Sequence, residues 1–159
     1  MKTLNITPIG TVEIVGDETC VILEKMYIPA LKGLEGFSHI NILWWFDRSD
    51  TAQLRRTRVS SVPYRDAGEM MGVFATRSPQ RPNPLALTVA RILHIDPHSG
   101  RVWIDYIDAD QASPVIDLKP YTPSLDRVEN PGVPSWCAGW PNSLEASADY
   151  DWEKVFGPN

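Results

Sequence analysis

Residues 75–89, ATRSPQRPNPLALTV, combine polar side chains with a backbone that proline makes rigid. Prolines at positions 79, 82 and 84 restrict φ and remove three backbone donors. Four polar side chains lie among these prolines, namely Arg77, Ser78, Arg81 and Asn83. Because a stiff backbone orders its side chains at low entropic cost, these four side chains are predicted to be held in fixed directions. The alternative is a surface turn with solvated arginines, which this density of proline and polar residues disfavours.

Residues 113–121, SPVIDLKPY, place a second set of polar groups on a short predicted strand. Asp117 and Lys119 alternate onto one face of that strand, and Pro120 ends its hydrogen-bond ladder. An acid and a lysine at a strand end can orient a ligand or form an ion pair. Spacing alone favours the ion pair.

Several common chemistries have no signature in this chain. His39, His94 and His98 are not at metal-ligand spacing, and Cys20 and Cys137 form no CxxC pair, so no metal site is expected. Neither GxGxxG nor a P-loop is present, which disfavours a Rossmann-type cofactor site. The GxSxG motif of serine hydrolases is also absent.

The charge is distributed unevenly along the chain. The net charge is −5, but residues 48–91 hold eight arginines against three acids, so this stretch is +5 and the rest −10. Such a stretch can form a basic face for a phosphate backbone, or its arginines can pair with acids elsewhere. Within it, Arg55, Arg56 and Arg58 are candidate RNA-backbone contacts, and Tyr64 is the nearest aromatic residue for stacking on bases.

The pattern of β-branched residues and turns predicts an all-β fold, a small antiparallel β-barrel with long loops and a short C-terminal helix. No alternating βαβ units are found. Turns are predicted at 15–18 and 96–100, and a long loop over 47–69 with a short helix near 51–58. Ser143 is expected to cap a helix reaching about Phe156. The predicted strands cover 3–14, 19–27, 37–46, 72–76, 85–95 and 101–107.

The length of 159 residues suits a single domain over residues 1–159, with 124–159 as a loop and short helical tail. No run approaches the roughly 20 apolar residues of a transmembrane helix, and the N-terminus does not read as a signal peptide. With two distant cysteines, a reduced cytoplasmic protein is the simplest interpretation.

Three blocks of this chain resemble the signature of the TsaA-like, or TrmO, family of tRNA N6-threonylcarbamoyladenosine methyltransferases. They are GLEGFSHI at 33–40, GVFATRSPQRPNPLALTV at 72–89 and SPVIDLKPY at 113–121, in the family's order within residues 5–123. IGTVE at 9–13 is similar to the family's first strand.

The resemblance implies a dimeric β-barrel that binds S-adenosylmethionine without a Rossmann sheet. It implies methyl transfer to N6 of threonylcarbamoyladenosine beside the tRNA anticodon. The family's cofactor contacts match eight positions, which are Ser38, His39, Arg77, Leu87, Asp108, Ala109, Asp110 and Gln111.

The chain departs from the family pattern at three places. Gln111-Ala112-Ser113-Pro114 stands where the family commonly has Asp-Gly-Thr-Pro, so an easy positive φ is lost at 112 and the loop is expected to run differently. Asp47 replaces a histidine after the aromatic strand, and Glu13-Ile14-Val15 replaces Arg-Ser-Pro.

Methyl transfer from a sulfonium is an in-line displacement that depends on positioning. A carbamoylated N6 is a poor nucleophile, so a carboxylate is expected as general base, either Asp117 or Asp108, with Lys119 and Tyr121 orienting groups or stabilising charge. Arg77 and Arg81 are expected to meet a cofactor carboxylate or a substrate phosphate. Trp44 or Trp45 could face the sulfonium, although core packing is favoured.

Three functions are consistent with these residues. The first is a tRNA methyltransferase, which the +5 segment favours. The second is a small-molecule methyltransferase on the same barrel, which an acidic surface around the pocket would favour. The third is a non-catalytic S-adenosylmethionine-binding module.

Overall fold

A computed structural model describes residues 3–68 and 70–156 of the chain. The chain divides into two compact units, 1–51 with 83–127 (the barrel unit) and 52–82 with 128–159 (the second unit). The elements are β1 (Gly10–Val15), β2 (Glu18–Leu23), β3 (His39–Trp45), β4 (Val59–Ser60), β5 (Met71–Gly72), β6 (Leu85–Asp96), β7 (Arg101–Ile104), β8 (Pro114–Pro120), α1 (Pro123–Asp126) and α2 (Leu144–Ala148).

Six strands of the barrel unit close into an antiparallel barrel in the order β1-β2-β7-β6-β3-β8. Pairing of β1 with β8, in the register Gly10 to Val115, closes the ring. Closure removes the exposed strand edges that would otherwise pair with other chains. The predicted all-β antiparallel barrel is confirmed.

The interior of the barrel is filled by alternate residues of each strand. On β3, Ile40, Ile42 and Trp44 are buried, since successive side chains of a strand point to opposite faces. The Trp44 indole donates to Thr88 Oγ1 at 3.0 Å. Trp45, one residue on, is half-buried and donates to Asp50 Oδ2 at 2.9 Å. Core packing is therefore the role of Trp44.

The β1–β2 hairpin requires glycine at position 10. A Cβ built on Gly10 would lie 2.1 Å from the backbone oxygen of Ile22. No side chain fits at that distance, because the obstacle is backbone rather than a movable side chain. Gly10 therefore sets how closely the two strands approach.

Several predicted strands are too long. The 3–14 strand begins only at Gly10, and the 19–27 strand ends at Leu23. The chain then turns into a 3-10 helix over Lys25–Leu31 that contains Pro29. Proline interrupts a ladder because it lacks a backbone donor, so the β-branched composition of this stretch was misleading.

The predicted strand over 72–76 is wrong. Strand pairing covers Met71–Gly72, and Val73–Ala75 forms a 3-10 turn. The Thr76 hydroxyl donates to Val73 O at 2.9 Å and closes this turn. Local hydrogen bonding by threonine competes here with the sheet ladder.

The second unit has its own apolar cluster, built from aromatic rings. Tyr64 stacks on Trp136, with ring centroids 5.0 Å apart and planes at 14°. Trp140 meets both rings edge-on, and Trp152 meets Trp140 edge-on. These contacts join the arginine-rich loop to the C-terminal segment. The segment predicted as a loop and helical tail is therefore part of a compact unit.

The C-terminal helix is shorter than predicted. Ser143 caps it as expected, because its hydroxyl accepts from Ala146 N at 3.2 Å. The α-helix spans only Leu144–Ala148, and a separate 3-10 turn covers Trp152–Lys154. A single domain over residues 1–159 stays a prediction, since compact units can still fold together.

Candidate functional site

The outer face of β3 and β8 carries the predicted acid and lysine. Lys119 Nζ lies 2.6 Å from Asp117 Oδ2, so the two side chains form an ion pair. The barrel register places Lys119 beside Asn41 and Asp117 beside Leu43 of β3. Both side chains remain accessible, with 62% of Lys119 and 43% of Asp117 exposed. Ion pairing and a role in ligand orientation are therefore compatible here.

Tyr121 follows directly after β8 and joins this face to the start of β3. Its backbone N donates to His39 O at 3.0 Å, and the two rings lie edge to face at 6.2 Å. Ser38 Oγ lies 2.9 Å from His39 Nδ1. The barrel thus brings Ser38 and His39, two residues of the predicted cofactor set, beside Tyr121.

Asn41 and Asp126 were missed by the sequence analysis. Asn41 is a buried polar residue, 8% exposed, and its Nδ2 donates to Asp126 Oδ1 at 3.1 Å. The other carboxylate oxygen of Asp126 accepts from Thr122 N at 2.7 Å. This carboxylate fixes α1 against β3 beside Lys119. An asparagine within the apolar run FSHINILWWF was the available signal, because buried amides need partners.

The loop before β8 holds the remaining predicted cofactor residues of the barrel unit. Asp110 pairs with Arg48 at 3.1 Å, and Gln111 Oε1 accepts from Ile14 N at 2.6 Å. Asp108 and Asp110 are exposed, whereas Ala109 is half-buried against the core. Partial burial of the phenol, with the charge of Asp108 as second cause, raises the pKa of Tyr106.

Ala112 adopts a left-handed backbone conformation, with φ 68°. Its N donates to Val12 O at 2.8 Å, which anchors the loop to β1. The expectation that alanine prevents a positive φ at 112 is therefore wrong. The anchoring hydrogen bonds outweigh the steric cost of a Cβ in this region.

The predicted cofactor residues of the barrel unit fall into two groups. Ser38 and His39 lie at the Tyr121 end of β8, and residues 108–111 lie before its first residue. A strand of seven residues, as β8 is, spans about 20 Å. Leu87 lies between the groups, 48% exposed and in register with Leu43.

The second unit contains Arg77, Arg81 and the three loop arginines. Arg81 Nη2 donates to Val73 O at 2.7 Å and to Thr76 O at 2.9 Å, so this guanidinium holds its own turn together. Arg58 Nη1 likewise donates to Arg55 O at 2.9 Å. Two more predicted residues of the second unit are exposed, Arg56 and Arg77, and Arg55 is half-buried. Asn83, which belongs to the barrel unit, is exposed.

Tyr64 is unsuited to the predicted stacking on RNA bases. It is 9% exposed, with Trp136 stacked on its ring and Trp140 at its edge. No local pattern predicts this burial of Tyr64, because Trp136 is 72 positions away.

In the described part of the chain, no group of three or more His, Cys, Asp or Glu residues could hold a metal ion, and no helix is long and apolar enough to cross a bilayer.

The residues of the polar face lie within a known protein domain family. The family model of the tRNA-methyltransferase O N-terminal domain matches residues 2–127, which include β3, β8 and α1. The chain belongs to this family. All three signature blocks lie within the match, whereas residues 128–156 of the second unit lie outside the tRNA-methyltransferase O domain.

Members of the tRNA-methyltransferase O family differ in length from this chain. The S-adenosyl-L-methionine-binding protein of Archaeoglobus fulgidus is 40% identical over 102 residues, which are 64% of this chain and 68% of the relative. The tRNA (adenine(37)-N6)-methyltransferase of Homo sapiens is 37% identical over 101 residues, 64% of this chain but 22% of the relative.

The crystal structure of TrmO from Pseudomonas aeruginosa has the same fold. It superposes with a TM-score of 0.63 at 28% identity, over 82% of this chain and 61% of that chain. The chain thus spans about three fifths of the crystallised protein, 61%, and about a fifth, 22%, of the human methyltransferase.

Proposed function

We propose that this protein is an S-adenosylmethionine-dependent methyltransferase that acts on N6 of an adenine in tRNA, in the form of threonylcarbamoyladenosine. The observation that carries this proposal is the family match over residues 2–127, which contains the polar face of β3 and β8. Relatives are named as S-adenosylmethionine-binding proteins and as tRNA adenine-N6 methyltransferases. We expect the reaction to occur in the cytoplasm.

The residues predicted to bind the cofactor suit its chemistry. S-adenosylmethionine has an ammonium and a sulfonium, a carboxylate and a flat adenine, and it supplies an electrophilic methyl group. Asp108 provides an exposed carboxylate for a cationic group, and Leu87 provides an exposed apolar surface. Ser38 and His39 provide hydrogen-bonding groups. Arg77 would meet the carboxylate, and Ala109, Asp110 and Gln111 complete the predicted set.

Acceptor activation is assigned to the Asp117–Lys119 pair and Tyr121. A proton must leave the carbamoylated N6, and the Asp117 carboxylate can accept it. Lys119, 2.6 Å away, holds this carboxylate in place. Tyr121, fixed through His39, orients the acceptor base.

Methyl transfer to tRNA is the direct test. Purified protein is incubated with labelled S-adenosylmethionine and tRNA that contains threonylcarbamoyladenosine, and label is followed into the nucleoside. Wild type should transfer label, and Asp117→Ala should lower the rate by about 10²–10⁴-fold, as expected for loss of a general base, without weakening cofactor binding. Full activity of Asp117→Ala would exclude it as the base.

The same assay separates the alternatives. The Archaeoglobus relative is named for S-adenosylmethionine binding, a property that a catalyst and a non-catalytic binding module share. Tight cofactor binding without label transfer to tRNA or to a metabolite extract would support the non-catalytic module. Label in the metabolite fraction alone would support a small-molecule methyltransferase.

Contacts to the tRNA backbone are assigned to Arg55, Arg56 and Arg58 of the second unit. Arg81 and Asn83 are assigned to the acceptor nucleotide itself. Phosphate contacts release counterions, so binding should weaken linearly on a log–log plot as salt rises. Arg56→Ala should reduce the slope of log affinity against log salt concentration by about one. A salt-independent affinity would exclude phosphate contacts by this loop.

A homodimer is proposed for the functional state. In one chain the predicted cofactor residues lie at both ends of β8, about 20 Å apart along the strand. A second copy could bring one group against the other, and Leu87 would be covered in such an assembly. Sedimentation equilibrium should give twice the mass of 17.9 kDa. A monomer that is fully active would exclude the dimer.

A further inference from the structure

Phe74 of the second unit has an exposed aromatic ring. The residue is 85% exposed, whereas Val73 before it and Thr76 after it are 2% and 6% exposed. The 3-10 turn is thus attached to the protein on both sides of Phe74, and the ring lies in solvent. No other aromatic residue in the described part of the chain is more exposed. A flat partner can therefore contact this ring without any rearrangement of the core.

Hydrogen bonds fix the turn that carries Phe74. Val73 N donates to Arg58 O at 3.0 Å, which continues the pairing of β4 with β5 by one residue. Thr76 donates to Val73 O through its backbone N at 3.2 Å and through its hydroxyl at 2.9 Å. Arg81 Nη2 donates to the carbonyl oxygens of Val73 and Thr76. A ligand that stacks on the ring therefore meets a surface that is already ordered, which lowers the entropic cost of binding.

The guanidinium groups that support this turn keep their positive charge. Arg81 donates to carbonyl oxygens, and Arg58 Nη1 likewise donates to the carbonyl oxygens of Arg55 and Thr57, at 2.9 and 3.1 Å. Carbonyl oxygens are neutral, so these hydrogen bonds do not cancel the charge of either cation. Residues 52–82 as a whole hold six arginines against two acids. Phosphate groups are therefore attracted to the segment that presents the ring.

An aromatic ring among cations matches the chemistry of a single-stranded nucleic acid. Such a partner presents flat unpaired bases next to phosphates, and proteins bind it by combining a basic surface with stacking rings. A duplex keeps its bases stacked on one another and offers its phosphates alone. A protein partner would need a wider apolar patch, but the exposed neighbours of Phe74 along the chain are Gly72, Ala75 and Arg77.

We propose that Phe74 is the residue on which an unpaired base of the RNA stacks, with Arg58 and Arg81 providing positive charge around it. The inference rests on the proposed function for the choice of RNA, and it adds a stacking contact to the phosphate contacts already assigned. Tyr64 is unable to make this contact because Trp136 covers its ring. Every base has a π-face, so the contact selects unpaired over paired RNA rather than one base over another.

Binding of two RNAs with equal numbers of phosphates tests the proposal. The probes are an anticodon stem-loop and a fully paired duplex, each titrated at several salt concentrations. Wild type should bind the stem-loop about tenfold more tightly than the duplex, and Phe74→Ala should remove most of this preference. The salt dependence should not change in Phe74→Ala, because a stacked base releases no counterion. Phe74→Trp should keep the preference, and Phe74→Leu, which has apolar area but no ring, should lose it.

Met70→Ala is the matched control. Met70 is an apolar residue of the same unit, 72% exposed and without a ring, so its variant should bind both RNAs as wild type does. Equal binding of stem-loop and duplex by wild type, or an unchanged preference in Phe74→Ala, would overturn the proposal. A changed sedimentation mass of Phe74→Ala with an unchanged preference would overturn it too, by assigning the ring to a contact between copies. Wild type that prefers the stem-loop through Phe74 but transfers no methyl would instead refute the proposed function alone.

Discussion

Position 112 carries a local conflict between residue type and backbone. Ala112 has φ 68°, a region in which an L-residue with a Cβ is less stable by about 1–2 kcal/mol. The conformation persists because Ala112 N and Ser113 N donate to Val12 O and Asp110 O. Those bonds anchor the loop that carries four predicted cofactor residues, so the strain is located next to the candidate site.

Ala112→Gly should stabilise the protein by about 1 kcal/mol, because glycine adopts this φ without steric cost. Urea unfolding should show a higher midpoint at an unchanged slope. Ala109→Gly is the control in the same loop. Ala109 packs against the core and has no positive φ, so its replacement should lower stability. A midpoint for Ala112→Gly at or below wild type would show that the loop is not strained.

The turn between β6 and β7 shows how one side chain supports an element. Asp96 Oδ2 accepts from the Ser99 hydroxyl at 2.5 Å, and Oδ1 accepts from His98 N at 2.9 Å. The Ser99 hydroxyl, followed by the His98 N–H, lowers the pKa of Asp96 below its ordinary value. Both bonds favour the ionised carboxylate, so the turn is most stable when Asp96 is charged.

The hairpin should therefore stabilise the protein in a pH-dependent way. A folded pKa below the unfolded value of about 3.9 gives stability that is present above that pH and is lost as pH falls through the folded pKa. Wild type should be more stable than Asp96→Asn at pH 7, and the difference should shrink towards pH 2. Ser99→Ala should reduce the same difference. A gap between wild type and Asp96→Asn that is constant with pH would contradict this role.

At the scale of the whole molecule, two apolar clusters support two compact units. The barrel core consists of aliphatic side chains and Trp44, whereas the second unit depends on Tyr64, Trp136 and their ring neighbours. Segments 52–82 and 128–159 are charged +4 and −4, from six arginines against two acids and one lysine against five acids. The arginine-rich loop therefore packs, through Tyr64, against a C-terminal segment of opposite net charge.

Trp136→Ala should loosen the second unit selectively. Loss of a half-buried indole that stacks on Tyr64 should lower the opening free energy of residues 52–68 by about 2–3 kcal/mol. Hydrogen exchange should accelerate there and remain slow in β2, β3 and β7. Val133→Ala, at a 55% exposed position of the same segment, is the control. Equal acceleration in the barrel strands would show that the two units unfold together.

The sequence by itself determined the fold class and the family. Alternating β-branched residues and turn residues are local patterns that predict strands, and the block ATRSPQRPNPLALTV is a local pattern that resembles the family. The same patterns overestimate the lengths of the strands that precede Pro29 and Thr76, where a proline and a threonine hydroxyl favour 3-10 turns. Spacing also placed Asp117 and Lys119 on one face and favoured an ion pair between them, which the structure contains.

Only the tertiary structure decided which distant residues meet. Asn41 donates a hydrogen bond to Asp126, which is 85 positions later in the chain, because β8 lies beside β3 in the closed barrel. Tyr64 is covered by Trp136 for a similar reason, through packing of segments far apart in the chain. A cavity beside Asp117 exists because β2, β8 and the 3-10 helix Lys25–Leu31 converge at one barrel end. Such contacts follow from strand order and closure, which no local pattern of residues specifies.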